Sequence, residues 1–261
     1  MEFGEGLIIL GLYFSGTGNT KHCVETFVSF FDNTCTAISI ETPNINHFLS
    51  EHDFIVFGYP VYYSNIPKIV RDFIFSHRDY FQNKKIFIIA TMAISSGDGA
   101  GCAARIFAKH GATIAGGLHL TMPDCIGDEK IMKKSLEVKK DMIRKADNKI
   151  LLAVENLKRG SPSRDGLNTF NQISGLLMQR LWFSQMTSSY KNKPNIDKEK
   201  CTGCGRCVPL CPMNNIKVIH GKAQDNGKCT LCYRCFSNCP EKALTILGKR
   251  VHEQYLFENC K

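Results

Sequence analysis

The chain has 261 residues, a length that suits one α/β domain joined to a smaller module. No apolar run approaches the roughly twenty residues that a membrane helix needs, and the first residues lack the positive charge of a signal peptide. We therefore expect a cytoplasmic protein without a membrane span. The formal net charge of +9 counts all thirteen cysteines as neutral, so it does not by itself predict binding to nucleic acid.

The N-terminal region combines a strand, a turn of small residues and a helix. Leu7 to Tyr13 is an apolar run of strand length, and Lys21 to Phe31 has helical period. Backbone amides at the helix start, with the hydroxyl and amide side chains of the turn between them, predict an anion site. No Lys-Ser or Lys-Thr pair follows the last glycine, so this is not a Walker loop. A purely structural turn is the alternative. The predicted site residues are Ser15, Thr17, Gly18, Asn19 and Thr20.

The following pattern alternates between strands and helices, as in a parallel α/β domain. We expect strands at 35–40, 53–58, 85–91 and 117–121, and helices at 68–76 and 102–110. Ligands of such sheets bind beyond the carboxyl ends of the strands. The anion loop should therefore meet two further loops, Gly58 to Asn65 and Met92 to Gly101. Tyr62 or Tyr63 can lie on a flat ring, Pro60 stiffens the approach, and the third loop is rich in glycine.

The first half of the chain, roughly residues 6 to 155, resembles flavodoxin-like FMN-binding domains. Their phosphate loop is of the Thr-x-Thr-Gly-Asn-Thr type, matched here from Ser15 to Thr20. The resemblance implies a doubly wound five-stranded parallel sheet and a bound FMN whose isoalloxazine lies between the second and third loops. The implied ring contacts are Pro60, Val61, Tyr62, Tyr63, Ser64, Asn65, Ser95, Ser96, Gly97, Asp98 and Gly99.

Two features of the third loop depart from expectation. Many flavodoxins stack an aromatic side chain from this loop on the flavin, but no aromatic residue occurs between Met92 and Ile106. One ring face is therefore expected to be open. The stretch from Gly99 to Ala104 also fits the dinucleotide pattern G-x-G-x-x-A, but no acidic residue follows at the required distance, so we discount NAD binding.

The segment after the predicted sheet leads to a second module. A Lys-rich amphipathic helix is predicted from Asp128 to Leu157, with a solvated face or, alternatively, a docking patch for an acidic partner. The breaker cluster from Arg159 to Gly166 marks the boundary. A connector helix with an apolar stripe (Phe170, Ile173, Leu177, Leu181 and Trp182) serves either as core or as an interface. The predicted divisions are 1–160, 161–194 for the connector, 195–250 for the second module and 251–261 for a tail.

The second module contains the motif C-x2-C-x2-C-x3-C-P twice, at Cys201 to Pro212 and at Cys229 to Pro240. Three thiolates at this spacing bind one cubane, and the fourth serves the other cubane. We therefore predict two [4Fe-4S] clusters. The first is held by Cys201, Cys204, Cys207 and Cys239, and the second by Cys229, Cys232, Cys235 and Cys211. The module, small and α+β, resembles bacterial two-cluster ferredoxins.

Disulfides and zinc are the alternatives for these cysteines. Cytosolic thiols stay reduced, and a run of four cysteines closed by proline offers more thiolates than one zinc ion needs. The remaining cysteines are expected to be packing or bystander thiols. Two clusters and a flavin phosphate lower the net charge to about +3, so most of the basic excess balances cofactors. The bystander thiols are Cys23, Cys35, Cys102, Cys125 and Cys260.

Taken together, the chain resembles fused flavodoxin and ferredoxin proteins of anaerobes, sometimes called EFR1-type. That resemblance implies an electron carrier. We expect it to connect the clusters, the FMN and a redox partner protein, for which an acidic docking face is the alternative given by the Lys-rich surface. The alternative is an FMN-dependent reductase of a small molecule whose clusters resupply the flavin. No obvious general acid is present, and Asp98 is the one acid to test near the ring. A cluster-based sensor is a third class without positive support. We expect no nucleic-acid partner.

Overall fold

The structure is a computed structural model and describes residues 8–62, 65–94, 98–130, 133–168 and 193–260. The predicted connector helix lies outside the described residues. The same holds for five of the predicted ring contacts, namely Tyr63, Ser64, Ser95, Ser96 and Gly97. Among the described helices, none combines the length and apolarity that a bilayer span requires.

The first half forms a five-stranded sheet in which all neighbouring strands are parallel. The strand order is β2-β1-β3-β4-β5, the order of flavodoxin-like folds. The predicted fold class is therefore confirmed. Buried residues run almost continuously along β1, β3 and β4, as expected for strands covered on both faces. The strands are β1 (Ile9–Tyr13), β2 (Thr36–Ser39), β3 (Phe54–Pro60), β4 (Lys85–Met92) and β5 (Thr113–Thr121).

Five helices cover the sheet. Apolar side chains of α1 and α5 pack with Phe87 on one face, and those of α2, α3 and α4 pack with Phe57 on the other. The helix at 68–76 was predicted correctly, whereas α2 and a 3-10 turn at Arg78–Phe81 were not predicted. The helices are α1 (Asn19–Phe31), α2 (Ile45–Glu51), α3 (Lys68–Ser76), α4 (Gly99–Lys109) and α5 (Leu136–Lys158).

Three predicted starts were wrong by three residues or more. Strand β5 begins at Thr113 rather than at residue 117. Helix α4 begins at Gly99 rather than at residue 102. The last two glycines of the predicted third loop, Gly99 and Gly101, therefore belong to the helix. Helix α5 begins at Leu136 rather than at Asp128. The Ser135 hydroxyl caps this later start by accepting a hydrogen bond from the Val138 amide at 3.3 Å. Asp128 is buried in a loop because its carboxylate binds another part of the chain.

The predicted breaker cluster after α5 packs along β5. Gly117 donates its amide to the Ser163 carbonyl at 2.8 Å and accepts from the Asp165 amide at 2.9 Å. Leu167 packs against the core on the α3 and α4 face. A Cβ on Gly117 would lie 2.7 Å from the Asp165 carbonyl oxygen, so glycine permits this close approach.

The C-terminal module is built from two small antiparallel pairs of strands and two one-turn helices. Residues 251–260 then return to the α/β domain and end in a 3-10 helix, Phe257–Cys260. Phe257 is buried in the core formed by α1 and α5. The elements of the module are β6 (Asn195–Ile196), α6 (Cys207–Leu210), β7 (Ile216–Ile219), β8 (Lys222–Asp225), α7 (Arg234–Ser237) and β9 (Leu244–Thr245).

Candidate redox centres

One cavity of the C-terminal module, cavity I, is lined by Cys201, Cys204, Cys207 and Cys239. Three of these come from the first motif and one from the second, as the spacing predicts. Four thiolates around one cavity are a suitable donor set for a [4Fe-4S] cluster. The Cys204 side chain is exposed, whereas Cys201 and Cys207 are buried. Cavity I therefore reaches the surface beside Cys204.

A second cavity, cavity II, is lined by Cys211, Cys229, Cys232 and Cys235, together with apolar residues. This is the other predicted donor set. Cys232 is only 6 % exposed and belongs to the buried core of the α/β domain. Cavity II therefore lies where the module meets the α/β domain, and cavity I lies farther out.

Backbone amides point at sulfur atoms in both cavities. Each such bond stabilises a thiolate and raises the reduction potential of a cluster bound there. The donors and acceptors are Ala223 to Cys201 (3.4 Å) and Ala243 to Cys239 (3.4 Å) in cavity I, and Asn215 to Cys211 (3.3 Å) and Leu231 to Cys229 (3.3 Å) in cavity II. Both cavities thus offer amide-to-sulfur contacts, and the two cavities differ in their surroundings.

Burial raises the pKa of Cys229 to about 12 and that of Cys232 to about 11. Such thiols need a bound metal to stay deprotonated at neutral pH. Within the described residues, no three His, Cys, Asp or Glu side chains converge as closely as a single metal ion requires. A cubane distributes its four thiolates over four iron atoms, so its ligands need not converge on one point.

The two cysteine motifs, motif I (Cys201 to Pro212) and motif II (Cys229 to Pro240), follow the same backbone path but differ in sequence. In motif I, Gly203 and Gly205 have φ values of 71° and 75°. In motif II the equivalent residues are Leu231 and Tyr233, with φ values of 59° and 58°. A side chain in this left-handed region costs about 1–2 kcal/mol, which other contacts must offset.

The anion loop has the features that a phosphate group requires. Its backbone turns at Gly18, where φ is 107°, and the Ser15 hydroxyl accepts from the Gly18 amide at 3.1 Å. The first-turn amides of α1 lack intrahelical acceptors, and no acidic side chain occupies that turn. Buried Thr20 is bonded to Thr91 on β4 at 2.7 Å, which fixes the loop on the sheet. These residues fit the phosphate of FMN.

The anion loop, the second loop and motif II meet at Gly16. A Cβ on Gly16 would lie 2.1 Å from the Cys232 carbonyl oxygen and 3.2 Å from the Tyr62 hydroxyl. Only glycine therefore allows this approach. Burial, and secondarily the nearby Cys125 and Cys232 sulfurs, raise the pKa of Tyr62, so its phenol stays neutral. Cavity II thus adjoins both the anion loop and Tyr62.

Arg234, which stands between two motif II cysteines, binds the α/β domain directly. Its guanidinium donates to both carboxylate oxygens of Glu41 at 2.9 and 2.7 Å and to the Ser15 carbonyl at 2.9 Å. It also lies 5.7 Å from the centre of the Phe14 ring. Its equivalent in motif I, Arg206, is exposed. The arginine of motif II therefore ties the cysteine turn to the start of the anion loop.

Asp128 is a second link between the domains and is only 2 % exposed. The Tyr233 hydroxyl donates to Oδ1 at 2.8 Å. The amides of Ile246, Leu247 and Gly248 donate to Oδ2 at 2.5, 2.8 and 3.0 Å. Four donors compensate the burial of this carboxylate. The bond from Tyr233 also offsets part of the strain of its left-handed backbone.

The C-terminal tail forms a third link. The Phe257 amide donates to the Thr17 carbonyl at 2.9 Å, and the Tyr255 hydroxyl donates to Asn19 Oδ1 at 2.6 Å. Gln254 donates to the carbonyls of Phe236 and Cys239 at 2.9 and 2.7 Å. The tail therefore contacts the anion loop and the cysteine module at once.

The structure describes part of the two predicted ring loops. Tyr62 and Asn65 exchange two backbone hydrogen bonds, at 3.1 and 3.0 Å. Asp98 is only 1 % exposed, and both of its carboxylate oxygens accept from Arg105, at 3.0 and 2.8 Å. Asp98 thus supports the start of α4, and its contact with a flavin stays a prediction.

Comparison with protein families gives two matches. The Flavodoxin domain family matches residues 10–124, and the 4Fe-4S dicluster domain family matches residues 185–244. A flavodoxin domain and an iron-sulfur domain in one chain define a flavin and iron-sulfur electron-transfer protein. More particularly, the chain joins a flavodoxin domain to a 4Fe-4S dicluster domain, an arrangement consistent with a fused flavodoxin and ferredoxin protein. The comparison with curated proteins gave no match.

Solved structures similar to this chain include flavodoxins. The two-electron reduced Megasphaera elsdenii flavodoxin is 21% identical over 54% of this chain and 99% of its own, with a TM-score of 0.41. Oxidised Flavodoxin 2 from Bacillus cereus is 17% identical over 58% of this chain and 98% of its own, with a TM-score of 0.42. The rubredoxin oxygen:oxidoreductase from Desulfovibrio gigas is 13% identical over 58% of this chain and 36% of its own, with a TM-score of 0.41.

Sequence reasoning missed the residues that join the domains. Gly16 was part of the anion loop but was not predicted as a contact, and the tail was given no role. One usable signal was present. Aligning the two motifs places Leu231 and Tyr233 where motif I has glycines, and residues with side chains at such positions point to a compensating contact.

Proposed function

We propose that this chain carries electrons between a partner redox protein and an FMN by way of two [4Fe-4S] clusters. In this proposal cluster I occupies cavity I, cluster II occupies cavity II, and FMN binds at the anion loop with its ring between the second and third loops. A flavin accepts one or two electrons, whereas a cluster accepts one at a time. The chain thus converts between one-electron and two-electron transfer.

The observation that carries the proposal is the contact at Gly16. Cys232, a ligand of cluster II, places its carbonyl against the Cα of Gly16 in the anion loop. A flavin anchored there would therefore lie beside cluster II, whereas cluster I lies on the far side of the module. The order cluster I, cluster II, FMN follows from this arrangement.

The chain's own residues hold and shield this path. Arg234 and Asp128 fix the module on the α/β domain through charge-assisted hydrogen bonds, of which the bond from Ile246 to Asp128 is buried. Cys232 and Tyr62 pack with the α/β core, which keeps water away from the junction. Burial raises the pKa of Tyr62 further above its usual value, so its neutral phenol adds no charge beside the path.

The test compares Cys232→Ala with Cys125→Ala. Cys125 is a nearby thiol outside both ligand sets, so it is a matched control. Under anaerobic conditions the flavin of each variant is reduced in single-turnover mixing with a reduced ferredoxin. We expect Cys232→Ala to slow flavin reduction at least about a hundredfold while FMN content is largely retained, and Cys125→Ala to behave as wild type. An unchanged rate in Cys232→Ala would refute the proposed order.

A further inference from the structure

The surface around Cys204, on the side of the module that carries cavity I, forms a continuous face. The turn of the β7-β8 hairpin lies against motif I, because a Cβ on Gly203 would lie 2.1 Å from the Gly221 carbonyl oxygen. Lys222 donates to the Cys201 carbonyl at 2.6 Å and fixes the hairpin there. We refer to Cys204–Arg206, Lys217–Lys222 and Glu241–Lys242 as the outer face.

The outer face is open and contains one exposed apolar side chain. Ile219 on β7 is 41% exposed, although it is a large aliphatic residue, and it lies on the same face of the hairpin as Lys217 and Lys222. Gly205 and Gly221 have positive φ, and a Cβ on either would meet no atom within 4 Å. A second protein can therefore approach the backbone beside exposed Cys204 without meeting a side chain at these two glycines. Small apolar patches with a polar rim are typical of transient redox encounters.

The rim of the outer face is basic. It holds Arg206, Lys217, Lys222 and Lys242 against the single acid Glu241. From residue 193 to 250 the chain has eleven Lys and Arg against four Asp and Glu. Two clusters with eight thiolates remove about four of these positive charges, so the loaded module remains basic.

We propose that the outer face docks an acidic electron-transfer protein. One electron passes from the reduced centre of that protein to cluster I, so the partner is oxidised and the cluster is reduced by one electron, and no bond is made or broken. This inference rests on the proposed function, because it assumes a cluster in cavity I. Complementary charge raises the association rate of such a pair at low salt.

The Lys-rich helix α5 is the competing docking surface. Its charges are mixed, since Arg144 and Lys145 both pair with Asp141, each at 2.6 Å. It carries no cysteine of either cavity. The outer face combines a basic rim with an exposed cluster ligand, which α5 does not.

The test uses a reduced, acidic two-cluster ferredoxin as the probe and stopped-flow mixing under anaerobic conditions. The variant Arg206→Glu with Lys242→Glu reverses two charges on the outer face, and Lys134→Glu with Lys140→Glu reverses two exposed charges near the start of α5. We expect the first variant to lower the second-order rate constant at least about tenfold at low ionic strength, with the difference vanishing at about 0.5 M salt. The second variant should change it less than about twofold.

Reduced methyl viologen, a small cation, controls for damage to the cluster. It should reduce every variant at a rate no lower than wild type, and each should keep about eight iron atoms per chain. Ile219→Asp gives a second test on the hairpin, away from every cysteine ligand. We expect it to slow the ferredoxin several-fold even at high salt, because it removes apolar contact.

Two outcomes would overturn docking at the outer face. One is an unchanged ferredoxin rate in both outer-face variants, and the other is an equal loss in the α5 variant. Failure of the proposed function looks different. If the ferredoxin reduces the clusters with the expected charge dependence but the flavin stays oxidised, docking is supported and the order of electron transfer is refuted.

Discussion

The two cysteine motifs have the same ligand spacing and face different surroundings. Motif I contains Gly203 and Gly205 and an exposed Arg206. Motif II has Leu231, Tyr233 and a largely buried Arg234 at the equivalent positions. The two motifs therefore have the same ligand spacing and the same backbone path, but the two glycines of motif I correspond to Leu231 and Tyr233 in motif II.

Three residues of motif II contact the α/β domain. Tyr233 bonds to Asp128, Arg234 bonds to Glu41 and Ser15, and Leu231 packs near Cys125. Motif I makes none of these contacts within the described residues. We infer that motif II is the docking edge of the module, and that its left-handed Leu and Tyr are tolerated because docking offsets their strain.

Removing the Asp128 carboxylate should give the largest effect on this docking edge. Asp128→Ala leaves three amides without their acceptor, the buried one of Ile246 and the partly buried ones of Leu247 and Gly248. We expect a loss of about 3 kcal/mol in the free energy of unfolding, measured by urea titration of the loaded protein. Asp141→Ala, at a surface ion pair, is the control and should leave the urea midpoint close to that of the wild type. Equal urea midpoints for the two variants would contradict the assignment of Asp128 as a domain link.

The fold was predictable because its signals are local. Apolar runs and breakers located all five strands, and the order of strands and helices indicated a parallel sheet. The start of α5 was not predictable from periodicity. Asp128 stands in a pattern that is compatible with a helix, and a bond to residues about 120 positions later keeps it in a loop. No window of neighbouring residues contains that information.

The candidate site also has one part that local sequence predicts and another part that depends on distant segments. Ligand spacing placed four cysteines around each cavity, because short turns fix the positions of three of them. The residues between the cavities and the anion loop, such as Glu41 and Tyr255, come from distant segments with ordinary local sequence. Only the unequal glycines of the two motifs hinted at them.

Equivalent arginines allow a direct comparison of the two motifs. Arg234→Gln removes the paired bonds to Glu41 and the bond to the Ser15 carbonyl, and we expect a loss of about 1 kcal/mol because the arginine makes three charge-assisted hydrogen bonds and only part of the pair is shielded from solvent. It should also raise the dissociation constant of FMN several-fold, since the Ser15 carbonyl loses its donor. Arg206→Gln, on the exposed side, should change stability by about 0.5 kcal/mol or less. Urea unfolding and fluorescence titration with FMN measure both effects. Similar losses in the two variants would mean that the motifs are not differentiated.

The left-handed positions provide a finer test. Tyr233→Phe keeps the backbone strain and loses the bond to Asp128, so we expect a cost of about 1 kcal/mol and easier proteolysis between the domains. Gly205→Ala adds left-handed strain where there is open space, and we expect a similar cost of about 1 kcal/mol. Protease susceptibility separates the two, because Gly205→Ala should leave the domain junction intact. A looser junction in Gly205→Ala would show that motif I also contributes to docking.

Removing FMN should produce the smallest effect and should affect one cluster only. Cys232 contacts Gly16 of the anion loop, whereas no cysteine of cavity I touches that loop among the described contacts. The protein without flavin should therefore show a small change in the EPR signal and potential of one reduced cluster and an unchanged signal from the other. Cys204→Ala identifies the signals, since it removes the cluster of cavity I. If loss of FMN altered the signal that Cys204→Ala abolishes, cluster I would be the neighbour of the flavin and the comparison of the motifs would have to be reversed.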